Sequence, residues 1–87
     1  MLLSTAERKF HDEGFTRELI FSGGIIFVSP DKKFQVNLYT RLDKNEAEKI
    51  SKIIVRSTED IKGEHIDFRS VKSAIRFCFK GFIQLSV

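Results

Sequence analysis

The sequence predicts an α+β fold: a small antiparallel three-stranded meander, with room for one or two further short strands, packed with two or three helices. Three observations carry this. Segments rich in β-branched and aromatic residues, separated by short turns, run from Phe15 to Arg41. Segments with helical spacing of apolar residues stand before and after them. The chain has 87 residues, enough for one domain and too few for two, so residues 1–87 read as a single domain.

The first helix is expected over Thr5–Glu13. Ser4 is placed as its N-cap, with Glu7 three residues on as the partner of a capping box. Leu3, Ala6 and Phe10 fall on one face, and Gly14 fits the left-handed position that ends a helix. The first strand follows, with Phe15, Arg17, Leu19 and Phe21 pointing one way. Ser22, Gly23 and Gly24 make a turn. Ile25–Ser29 is the second strand, Pro30–Lys33 the next turn, and Phe34–Arg41 the third strand.

Asp43, with Glu46 three residues later, reads as the cap of a second helix whose buried stripe is Ala47, Ile50, Ile53 and Ile54. The β-branched run Ile53–Val55 supports a strand as the competing reading. Residues 57–64 read as a loop and His65–Phe68 as a short edge strand. A third helix is expected over Arg69–Lys80, ended by Gly81, with Ile75, Phe77 and Phe79 also compatible with a strand. Phe82–Val87 is apolar enough to add another strand. The expected core is Ala6, Phe10, Leu19, Phe21, Phe27, Val36, Leu38, Ile50, Ile53, Val71, Ile75 and Phe79.

The composition, 41% hydrophobic and 31% charged, is that of a folded globule rather than a disordered chain. Cys78 is the one cysteine, so no internal disulfide can form. That favours a reducing compartment and a buried apolar role for the thiol. The opening MLLSTAERKF lacks the apolar run of a signal peptide, and the longest uncharged stretches are too short to span a bilayer. A cytoplasmic protein that does not enter membranes is expected.

Little in the chain resembles reactive machinery. His11 and His65 stand 54 positions apart and Cys78 lies 13 beyond the second, spacings unlike a metal site. No activated nucleophile adjoins His65, although Glu64 and Asp67 flank it. Ser22–Gly24 lacks the Lys-Ser or Lys-Thr of a phosphate loop and leads into a strand. The acidic pairs Asp12–Glu13 and Glu59–Asp60 read as solvated. The expectation is a protein that is not an enzyme and takes no cofactor.

The helix–strand–strand–strand–helix opening resembles the double-stranded RNA-binding domain in element order. Such domains place a basic cluster at the start of the helix after the sheet. Here that segment is Asp43, Lys44, Asn45 and Glu46, so no family is assigned and no functional residues are carried over.

Charge is more informative. Residues 1–60 hold ten basic and ten acidic side chains; residues 61–87 hold five and two, which supplies the whole net charge of +3. On a helix, Arg69, Lys72, Arg76 and Lys80, spaced three, four and four apart, fall within an arc of roughly 80°. These four are the candidate binding residues. A stripe of one sign suits an acidic protein surface or phosphates, and it equally suits the solvated side of any surface helix. The leading functional expectation is a small non-catalytic protein-binding regulator or inhibitor. Nucleic-acid binding through the same stripe is the first alternative. Self-association, as a homodimer paired through the His65–Phe68 edge, is the second.

Overall fold

The computed structural model describes residues 1–59 and 64–80. Helix α1 (Leu3–Asp12) leads into five strands, β1 (Thr16–Phe21), β2 (Gly24–Val28), β3 (Phe34–Leu42), β4 (Glu48–Ser57) and β5 (His65–Phe68), and helix α2 (Val71–Lys80) follows. The strands pair in chain order, each antiparallel to the next. This is the α+β meander the sequence predicts, extended by two strands and packed with two helices.

The main correction concerns residues 43–57. The expected second helix is a turn followed by strand β4, which forms a hairpin with β3, so the likeness in element order to double-stranded RNA-binding domains ends at β3. Asp43 does act as a cap, but of a turn. Its Oδ1 accepts from the amides of Asn45 at 2.8 Å and Ala47 at 2.9 Å. Glu46 adopts a left-handed φ of 62°, and the Asp43 amide donates to the Ala47 carbonyl at 3.0 Å. An Asp-x-x-Glu spacing thus serves a hairpin loop as well as it serves a helix start. The β-branched run Ile53–Val55 lies in β4, where its branched side chains fit a pleated surface.

The first helix begins earlier than expected. Leu2 occupies the cap position without a side-chain cap bond, and Ser4 lies inside the helix. Glu7, expected to close a capping box, instead pairs with Arg17 of β1 at 3.5 Å. The C-terminal end is as predicted. Gly14 has φ of 87°; its amide donates to His11 O at 3.0 Å and that of Phe15 to Phe10 O at 3.0 Å. The rings of Phe10 and Phe15 meet edge to face at 5.1 Å, the apolar contact that accompanies this helix ending.

Both helices lie on one side of the sheet. Ala6 and Phe10 of α1, with Val71, Ala74 and Cys78 of α2, share a single buried cluster with Ile25, Phe27, Phe34, Val36, Leu38, Ile53 and Val55. Seven of the twelve expected core residues are buried, Ala6, Phe10, Phe27, Val36, Leu38, Ile53 and Val71, and five are not. Leu19 and Phe79 are 53% and 52% exposed. Phe21, Ile50 and Ile75 are half-buried, the last two packed against the cluster's edge. A bulge between Arg17 and Leu19 explains the first strand: it shifts the alternation by one, so Leu19 pairs with Ile26 on the far face while Phe15 stays with the core.

The far face carries ordered rows. Leu19, Ile26, Asn37, Ile54 and Asp67 follow one another across all five strands, as do Thr16, Val28, Gln35, Arg56 and His65. Phe21, Gly24, Tyr39 and Lys52 make a third row. The Phe21 ring lies over Gly24, where an added Cβ would come within 2.6 Å of it. The edge of β4 beyond β5 is met by the chain start: Leu2 bridges Lys49, and the Ile50 amide donates to Met1 O at 2.9 Å. The expected extra strand over Phe82–Val87, and the helix stop at Gly81, lie outside the described residues.

Candidate functional site

Helix α2 starts where Ser70 permits. The Ser73 amide donates to Ser70 Oγ at 3.1 Å, and the two hydroxyls bond at 2.9 Å. This satisfies one of the free amides of a helix start. Val71, Ala74 and Cys78 then point into the core, and Phe77 closes on Phe34 at 5.4 Å and Phe68 at 5.3 Å. Burying that stripe commits the opposite side of the helix to solvent.

Lys72, Arg76 and Lys80 occupy the solvent side, all exposed. Their spacing of four and four keeps them on one arc of the helix. Arg69 is also exposed, but it precedes the Ser70 cap and lies outside the helix, so the four predicted residues are not one helical stripe. Among the described residues no carboxylate lies within 4.0 Å of any of the four. Phe79 adjoins the arc; its ring is half-exposed and anchored edge to face on Phe15 at 5.9 Å. Lys72 differs from the other two. It lines a shallow cleft of about 270 Å³ between the helices with Lys9, Asp12, Glu13 and Ile75, so acids of α1 border that end. Arg76 and Lys80 do not line that cleft.

The other residues singled out from the sequence do not converge. His11 is an exposed side chain on α1, 4.0 Å from Asp12. His65 is on β5, 3.7 Å from Asp67. Cys78 is 3% exposed, and burial pushes its thiol pKa up to about 12, with the Asp31 charge acting in the same direction. Such a thiol is a poor nucleophile at neutral pH. No group of three His, Cys, Asp or Glu among the described residues is placed to hold a metal ion. No described helix is long and apolar enough to cross a membrane. Ser22 and Gly23 form a tight hairpin turn between β1 and β2, with Gly23 at φ of 96°.

Sequence reasoning missed the second face of the sheet. Lys52, Ile54 and Arg56 alternate in β4, and that signal was available, but a helical reading of the same residues hides it. Compared with known proteins, the chain matches no family model, no curated protein and no solved structure.

Proposed function

We propose that the chain is a non-catalytic binding protein that engages an acidic protein surface through the exposed side of α2, acting as a regulator or inhibitor of its partner. One observation carries this reading: Arg76 and Lys80 stand exposed and, among the described residues, without carboxylate partners, beside the half-exposed ring of Phe79. Arginine and an anchored aromatic are the side chains that most often dominate protein interfaces. Cations held unpaired on a rigid helix attract an acidic partner and set its register. Lys72 and Arg69 are peripheral contacts, the first tempered by Asp12 and Glu13. The lone buried Cys78 goes with a cytoplasmic setting, where thiols stay reduced.

The test is affinity capture from the native host, with and without nuclease, using wild-type protein, Arg76→Glu/Lys80→Glu and Lys72→Glu. The expected result is a partner with an acidic surface that survives nuclease, is lost by the double variant and is largely kept by Lys72→Glu. Capture that vanishes with nuclease shows a nucleic-acid ligand instead. Capture that is unchanged in the double variant overturns the reading.

A further inference from the structure

We infer that the far face of the sheet holds a second site, a cleft that binds an oxyanionic group, carboxylate or phosphate, between Arg56 and Lys32. The cleft measures about 990 Å³ and lies at the end of β3 and β4 where the Pro30–Lys33 turn rises above the sheet. Its polar lining includes Thr16, Glu18, Lys32, Gln35, Arg56 and Thr58. Thr16, Gln35 and Arg56 belong to one row across the sheet, so neutral and charged donors stand side by side on a rigid surface.

Two features beyond the concavity point to an anion. The first is Arg56, a half-buried guanidinium whose Nε is buried and has no hydrogen-bond partner among the described residues. A charged donor left unpaired in this way is costly, and an acceptor oxygen relieves it. Arg56 lines the cleft, and the paired N–H donors of a guanidinium match the paired oxygens of carboxylate and phosphate. The second is Lys32, which holds a left-handed φ of 64°. Its amide donates to Ser29 O at 2.9 Å, and its carbonyl accepts from Thr58 Oγ1 at 2.8 Å. The Thr58 amide donates to Lys33 O at 2.9 Å. Lys32 is thereby tied to the strand end that carries Arg56, two residues before Thr58. A non-glycine residue kept in this conformation by so many bonds is the kind of strain that accompanies ligand sites.

The charge balance agrees. Asp31 Oδ1 is engaged by the Ser29 hydroxyl at 2.6 Å and the Lys33 amide at 3.0 Å. Arg17 also lines the cleft, but it is paired with Glu7. Among the described residues Glu18 is the one acid in the lining, against Lys32 and Arg56.

The experiment is an NMR titration at fixed ionic strength with three probes: acetate, inorganic phosphate and phenyl phosphate. The readout is the Arg56 Nε–H resonance and the amides of Lys32, Gln35 and Thr58. The expected result is a saturable shift at these positions with at least one probe, and the probe that saturates lowest identifies carboxylate or phosphate as the source. Lys32→Gly keeps the left-handed turn, because glycine adopts it freely, and removes the ammonium. It should weaken binding about tenfold. Glu18→Gln should tighten it, and Arg76→Glu/Lys80→Glu should leave it unchanged, which separates this site from the α2 surface. Shifts that never saturate with any probe, or that are the same in Lys32→Gly, overturn the inference.

Discussion

Replacing Phe10 with alanine tests where the stability of this fold resides. Phe10 is fully enclosed, stacked on Phe27 at 5.1 Å with 17° between the rings, and in edge contact with Phe15. Removing a buried phenylalanine costs about 3–5 kcal/mol, and the loss of two ring contacts places Phe10 near the middle or top of that range. A chain of this length is stable by roughly 4–13 kcal/mol in all. Phe10→Ala therefore removes a third or more of the total. With a urea slope of about 1 kcal/mol/M, the midpoint of denaturation should fall by about 3–5 M. Phe79→Ala is the internal comparison: half-exposed with one ring contact, it should cost about 1 kcal/mol. Urea melts followed by circular dichroism measure both. Should Phe10→Ala prove unfolded, Phe10→Leu supplies the comparison at about 1–2 kcal/mol. Equal midpoints for Phe10→Ala and Phe79→Ala would refute the division of phenylalanines into core and surface.

Other outcomes follow from the same structure. Cys78, with its thiol pKa near 12, should react with an alkylating reagent at pH 8 about a thousandfold more slowly than an ordinary thiol of pKa 9, and at the ordinary rate once urea unfolds the chain. Because the folded-state pKa is the raised one, the protonated thiol favours the fold fully below about pH 9, and that advantage is lost as pH rises toward 12; alkaline melts of wild type against Cys78→Ala read it. The Ser29 hydroxyl, with the Lys33 amide, holds the Asp31 carboxyl below the usual aspartate range, so the Lys33 and Phe34 amide resonances should titrate with a midpoint under 3.8, and the turn should loosen only as pH falls through it. Ile75→Ala should cost about 1–2 kcal/mol by thermal melting, less than full core burial implies, because Ile75 sits at the cluster's edge. Light scattering over a concentration series tests self-association; a mass that doubles would make the β5 edge or the far face an interface between copies.

The helices flanking the sheet and its first three strands were legible because their signals are local: a helix stop at Gly14, turn residues at Ser22–Gly24 and Pro30–Lys33, and alternation in Phe34–Leu38. What escaped depends on parity and on partners. The bulge at β1 reverses which side chains face the core, and no single residue announces it. Ile50, Ile53 and Ile54 fit a helical stripe as well as they fit β4, and only pairing with β3 decides between them. The candidate site shows the same division. The exposed cations of α2 follow from spacing alone, whereas Arg69 leaves the stripe because Ser70, and not an earlier residue, starts the helix. The Arg56 cleft required four strands and a turn to be brought together before it existed.

The bridge between Leu2 and Lys49 sets an order of events as well as an edge. Every strand pair in the sheet joins neighbours in sequence, so the meander can zip progressively as the chain leaves the ribosome. The first two residues are the exception. Their partner on β4 lies almost fifty residues further along the chain, so this contact waits for the fourth strand. Met1 and Leu2 thus precede the meander in sequence but are fastened late, and their docking marks the point at which the sheet has been built as far as β4.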